Sequence, residues 1–217
     1  MIKENIFSDL PAQPFKIVSD KVKTGDLLFC SGNGMVSGLI REATGSIFSH
    51  VGLILQLPIT RQWLVLESVE SIGVRCVTLL EGYVKNYQDS GRGYDGKMLI
   101  ARHQEMQHKK EMFEKLYRCA FELTGDKYSR ADIFRIASRI ALNRMGIHEN
   151  GLIKDNNRYI CSEYVYACLK SIDIHLPYNP LGFIAPADIA RHPGISVIAH
   201  LQVEGWLQRV PSLVEAH

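Results

Sequence analysis

Residues 49–68 read SHVGLILQLPITRQWLVLES. Two apolar runs, 49–57 and 63–68, lie either side of a polar stretch that begins at Pro58. Each run has strand length and is too short for a helix, so the stretch reads as an antiparallel hairpin with its loop near 57–62. That pairing returns Glu67, near the end of the second strand, to the end of the hairpin where His50 begins the first. An acid in a buried strand is costly unless it has a partner. A carboxylate there can hold the imidazole by one ring nitrogen and leave the other for chemistry. A histidine opening a core strand also has a purely structural reading, and spacing alone leaves both open.

Outward from the hairpin, the first half of the chain continues as strands. TGDLLFC (24–30), GVRCVTL (73–79) and KMLIAR (97–102) are short apolar or alternating runs between Gly, Pro and polar turns. The second half is helical. Apolar residues recur at Met112, Leu116, Cys119, Ala120 and Leu123. A second helix is expected over 129–146, capped by Ser129 and stopped at Gly146. A third runs from about Cys161 to Ile172. The segment 176–194 is Pro-rich and reads as irregular, and ISVIAHL (195–201) returns as one more strand. Strands first and helices second argue for an α+β fold, an antiparallel sheet or small barrel with helices packed on it.

The chain of 217 residues fits one domain with a core from about 24 to 200. Hydrophobic residues make up 46% and charged residues 22%, as in globular proteins, and a net charge of +2 is too mild for a nucleic-acid partner. No apolar run approaches the roughly 20 residues of a membrane span. MIKENIFSDLPAQPF lacks the cationic start and apolar stretch of a signal peptide. The five cysteines include no C-x-x-C pair, and free thiols point to a reducing compartment, so a cytoplasmic protein is expected.

NNRYICSEYVYACLK (156–170) puts Cys161 at the first turn of the third helix. At 100° per residue, Cys161, Val165, Cys168, Leu169 and Ile172 share one face, with Glu163 and Lys170 opposite. A thiolate is favoured at a helix N-terminus or beside an imidazole. Free cysteine is equally at home as buried packing, so helical phase alone leaves Cys161 and Cys168 indistinguishable. Of the eight histidines, most, such as His108 and terminal His217, stand where a solvated position is the default. Arg135 and Arg139 lie opposite the apolar stripe of the 129–146 helix and read as a solvated face, with Arg130 and Arg144 adding to its charge. No pair of histidines or cysteines has metal-ligand spacing. SGNGMVSG (31–38) lacks the Lys-Ser/Thr ending of a phosphate loop and reads as a loop near the cleft.

These motifs together resemble a known family. GDLLF, REATGSIFSHVGLIL, VLES and GVRCVTL, then a distant YICSEYV with APADIA, are similar to the permuted NlpC/P60 papain-like cysteine hydrolases, in the YiiX/YaeF-like branch. The resemblance spans about 24–200, with the histidine ahead of the cysteine as the permuted order requires. It implies a circularly permuted papain-like fold and a thiol hydrolase that cleaves an amide or ester through a Cys161 acyl-enzyme. His50 would be general base and acid, and Glu67 the acid that orients it. The backbone N–H of Cys161 would belong to the oxyanion hole. A tyrosine hydroxyl beside the thiol would come from Tyr128 or Tyr159. Asp26 of GDLLF matches a family position, although an acid after a turn glycine needs no function to explain it. The substrate would be a small molecule, a lipid-derived or N-acyl amide, or a peptide. The chemistry needs no cofactor and no metal. The same residues suit an acyltransferase, and a non-catalytic binding module is the rival from another class. The polar segment 80–96 reads as a lid or a loop.

Overall fold

The computed structural model describes residues 1–70, 72–106, 110–127, 135–136, 138–140, 142–143, 145–148, 151 and 160–203. Six strands, β1 (Leu27–Gly32), β2 (His50–Gln56), β3 (Trp63–Val69), β4 (Gly73–Thr78), β5 (Gly96–His103) and β6 (Ile195–Leu201), form one sheet. Its order is β4-β3-β2-β1-β5-β6 and every neighbouring pair is antiparallel. β4 and β6 are its two edges, so the sheet is open and the small-barrel alternative is set aside. The helices with bounds among the described residues are α1 (Ile6–Asp9), α2 (Phe15–Val18), α3 (Met35–Thr44), α4 (Lys110–Glu122), α5 (Cys161–Lys170) and α6 (Pro186–Arg191). The α+β class follows from the sequence order of strands and helices.

Strand alternation builds two cores. Leu27, Phe29, Val51, Leu53 and Leu66 cluster with residues of α4 and α5, among them Leu116, Val165, Cys168 and Leu169. The intervening Leu28, Cys30, Ile54 and Val65 cluster instead with Val18, Val22, Leu79, Tyr83 and Tyr94. Both faces of the central strands are therefore covered, which is why β1 and the interior of β2 read as unbroken apolar runs. On α5 the expected stripe, Cys161, Val165, Cys168, Leu169 and Ile172, is buried, and Lys170 is exposed.

Several local expectations are corrected. The stretch 31–38 is no simple loop, because β1 runs to Gly32 and α3 begins at Met35. Residues 186–191 of the Pro-rich segment form α6, started by Pro186 at its first position and by an Ala185 N–H bond to the Asp188 carboxylate. Segment 80–96 is packed against the sheet. Leu80–Lys85 is a π-helical turn, and Tyr83, Val84 and Tyr94 are buried. His103 and His200 are buried too, the first stacked on His192 and the second bonded to the Leu10 carbonyl. Arg139 is not simply solvated, since its guanidinium donates to the carbonyl of Leu181 at 2.7 Å. Residues 135–136, 138–140 and 142–143 are helical, as the 129–146 pattern requires. Ser129, Arg130, Arg144, His108 and His217 lie outside the described residues.

Asp26 is fully buried at the head of β1. Its carboxylate accepts two bonds from Arg102 of β5, at 2.6 and 2.8 Å, and one from the Lys23 N–H at 2.8 Å. The same guanidinium donates to the Lys21 carbonyl, so one buried ion pair ties the turn before β1 to β5. Its role is structural. Removing one member of such a pair leaves a buried charge without its partner. Asp26→Ala is expected to lower stability by about 3 kcal/mol, read from the urea midpoint, and a loss below about 1 kcal/mol would contradict this account.

Candidate active site

The β2–β3 register determines how His50 and Glu67 meet. Leu53 opposes Leu66 and Gln56 opposes Trp63. One step further puts Gly52 opposite Glu67, which makes His50 and Glu67 diagonal neighbours on one side of the sheet. Diagonal pairs stand roughly 7–8 Å apart at the backbone, within reach of long side chains. Gly52 keeps that space clear, since a Cβ there would lie 2.7 Å from Val65 Cγ1 and 3.5 Å from the Glu67 Cβ.

His50 Nε2 and Glu67 Oε2 are 2.5 Å apart. Glu67 is completely buried, and His50 is 17% exposed at its side chain. The carboxylate has two further donors. Arg75, its cross-strand partner on β4, gives Nε and Nη2 to Oε1, each at 2.8 Å. The Tyr83 hydroxyl donates to Oε2. Burial opposes ionisation of Glu67, but the charge and hydrogen bond of His50, the charge of Arg75 and the Tyr83 hydroxyl hold its pKa below the ordinary carboxylate range. Arg75 in turn lies over the Tyr87 ring, 5.8 Å from its centroid.

Cys161 opens α5 and is 4% exposed. Its side chain faces His50 closely enough for its charge and hydrogen bonding to bear on the imidazole. With Nε2 engaged by Glu67, Nδ1 is the ring nitrogen left for the thiol. Burial works against an imidazolium at His50, yet the facing charges of Cys161 and Glu67 outweigh it and push the pKa up to about 10. The start of α5 is unusual in its cap. The N-cap is Ile160, which offers no side-chain oxygen to the first amides, and the Cys161 N–H has no partner within the helix. Glu163 reaches back only to the Ile160 N–H, at 3.3 Å. A helix N-terminus without a side-chain cap can receive negative charge. The Ser162 hydroxyl anchors this turn by donating to the Ile184 carbonyl at 2.6 Å.

Cys161, His50 and Glu67 are thus brought together. Tyr128 and Tyr159 lie outside the described residues. Arg75 and Tyr83 complete the carboxylate's surroundings and went unread in the sequence. Arg75 had a signal, because a connection too short for anything but a hairpin between 63–68 and 73–79 sets it opposite Glu67 as a cross-strand ion pair. Tyr83 had none. Cys30, the cross-strand partner of His50, is inert by comparison, its thiol pushed up by burial and by the charges of Glu67 and Cys161. Among the described residues, no group of three or more His, Cys, Asp or Glu could hold a metal ion.

No family model matches the sequence, and no curated protein matches it. Among solved structures, the crystal structure of the metalloprotein YiiX from Escherichia coli O157:H7 superposes with a TM-score of 0.60. The match covers 84% of this chain and 99% of that one, at 18% identity. The chain has a YiiX-like fold. At this identity the likeness to YiiX concerns architecture, and chemistry has to be argued from the side chains. No helix among the described residues is long and apolar enough to cross a membrane.

A His50 pKa above the unfolded value of 6.5 stabilises the fold fully below about pH 6.5, and that contribution is lost as pH rises through about 10. Glu67→Gln removes the carboxylate from the groups responsible. The His50 ring, followed by nitrogen–proton correlation NMR, is expected to titrate near 10 in the wild type and at clearly lower pH in the variant. An unchanged midpoint would rule out Glu67 as a cause.

Proposed function

We propose that the protein is a thiol hydrolase of the permuted papain-like, NlpC/P60 kind, acting on an amide or ester through a Cys161 acyl-enzyme. The observation that carries this reading is His50 held between the Glu67 carboxylate and the Cys161 sulfur at the uncapped start of α5. At neutral pH His50 is an imidazolium, the form that favours a facing thiolate.

The sulfur attacks the carbonyl carbon, forming the S–C bond, and the carbonyl oxygen takes up the negative charge. The first amides of α5 are suited to receive it. As the C–N or C–O bond breaks, His50 gives its proton to the leaving amine or alcohol and becomes neutral. Water then loses a proton to His50 and adds its oxygen to the thioester carbon. Cleavage of the S–C bond releases the acid and restores the starting pair. An amine or alcohol in place of water gives acyl transfer through the same steps. Glu67 keeps the ring oriented throughout and stabilises its charged form. The hydroxyl beside the thiol falls to Tyr128 or Tyr159 in this reading.

The YiiX structure is described as that of a metalloprotein, but the residues here do not suit a metal. Both Glu67 oxygens are occupied by His50, Arg75 and Tyr83, and among the described residues no cluster of metal-ligating side chains gathers around them. No step is routed through a metal.

A cavity of about 460 Å³ with a mixed lining offers an apolar wall for the substrate's acyl group. Ala43, Ile140, Leu181, Phe183 and Ala185 form that wall, and nearly half of the lining residues, among them Asn143, His148 and Asp188, are polar. Ile160, the residue before Cys161, packs in the same cluster as Phe183 and Ala185. A lipid-derived or N-acyl amide is therefore the preferred substrate class.

Two measurements test the reading. Iodoacetamide at neutral pH, with the labelled position mapped by mass spectrometry, is expected to modify Cys161 rapidly in wild type and at least about tenfold more slowly in His50→Ala. Mapping matters because Cys119, drawn down to about 7 by a hydrogen bond from Cys168, is a competing thiol. Slow labelling of Cys161 that is indifferent to His50 would leave only the binding-module reading. With N-acyl amides of increasing chain length, hydrolysis is expected to rise with length, and Ala43→Leu to flatten that dependence. Equal rates at every length would remove the acyl cavity from the argument.

A further inference from the structure

We infer that a second cavity, at the other side of the turn that leads into β2, binds an oxyanion: a carboxylate or a phosphate group. Its volume is about 590 Å³, and its lining includes Arg41 of α3, Lys97 of β5, Asn33, and the hydroxyl residues Ser8 and Ser31. The two cations are the telling feature. Arg41 Nε is shielded from solvent and has no hydrogen-bond partner. Among the described residues the Arg41 side chain makes no ion pair, although charged side chains so placed are normally paired. The Lys97 ammonium has an aromatic face, the Phe7 ring 5.5 Å away, and among the described residues no carboxylate partner.

Two carboxylates also line the cavity, and each already has donors. Glu4 accepts the Ile47 N–H at 2.9 Å and the Arg191 guanidinium at 3.2 Å. Asp95 accepts the Asn33 side-chain amide at 2.8 Å. The lining carries two cations and two anions, and because Glu4 is paired with Arg191 from outside it, one positive charge is left over at Arg41 and Lys97. A guanidinium offers planar, paired donors that match carboxylate and phosphate oxygens, and an ammonium with nearby hydroxyls completes such a site. An anion in this cavity gives the Arg41 guanidinium the counter-charge that the protein does not supply. The cavity lies beside the proposed reaction centre. Ser31 follows Cys30, the cross-strand partner of His50, and Ile47 belongs to the turn that runs into His50. The assignment rests on this lining and stands whether or not Cys161 is a nucleophile.

Isothermal titration calorimetry of the full chain at fixed ionic strength, with inorganic phosphate, acetate and glycerol 3-phosphate as probes, tests the site. At least one probe is expected to bind saturably at one site. Arg41→Gln should weaken that binding at least about tenfold and Lys97→Gln to a smaller extent, while Cys161→Ala leaves it unchanged. Arg41→Lys, which keeps the charge without the fork, should retain weakened binding. Thermal melting by circular dichroism shows that each variant is folded. Tighter binding of glycerol 3-phosphate than of inorganic phosphate identifies an esterified headgroup as the source of the anion, and the reverse order identifies free phosphate. Either order supports the site. No saturable binding of any probe, or the same affinity in folded Arg41→Gln, overturns it.

Discussion

The buried carboxylate of Glu67 is the constraint to which the rest of the molecule is fitted. An ion removed from water loses several kcal/mol of solvation, and only good partners in good geometry restore it. Three elements supply them: His50 from β2, Arg75 from β4 and Tyr83 from the π-helical turn after β4. Each partner reaches Glu67 only if its own element sits correctly, so one charge couples two hairpin registers to the packing of the 80–94 segment. That segment is held by its tyrosines, with the rings of Tyr83, Tyr87 and Tyr94 packed 4.9–5.7 Å apart by centroid. A segment anchored so is a wall of the site.

The cysteines show how the same side chain is assigned different work by its surroundings. Cys30 lies in a core, and burial together with the neighbouring charges of Glu67 and Cys161 pushes its thiol up. Cys168 is pushed up by its bond to Cys119 and by burial. Cys119, half-buried, gains from that bond what Cys168 loses. Cys161 alone stands at a helix start with an imidazole against it. Burial does not separate Cys161 from Cys168, since both are buried. Position on the helix does.

Much of the fold was legible because its signals are local. Every strand announced itself as an apolar run between turn residues, and the α5 stripe followed from helical phase. The meeting of His50 and Glu67 was legible from one hairpin. What escaped was set by distant contacts. Tyr83 stands in a polar segment whose burial depends on the sheet it covers. His103 and His200 look like surface residues until their partners, His192 and the Leu10 carbonyl, arrive from far along the chain. Met35–Thr44 hid its helix behind glycines at 32, 34 and 38 that suggest a loop. Asp26 looked like a turn residue, and only the β1–β5 pairing reveals the guanidinium that buries it.

The strand order also has a consequence for how the protein is made. His50, Glu67 and Arg75 all lie on β2, β3 and β4, three successive strands that can pair as soon as they are synthesised. Cys161 follows only after β5 and α4, on a helix that packs across strands already formed. During synthesis, N-terminal segments fold first. The His50–Glu67 pair can therefore exist on the nascent chain before Cys161 is made, with Cys30 as its only neighbouring thiol on β1 and β2. Cys161 meets that pair only when α5 docks, so the thiol and the imidazole come together after the first four strands have paired.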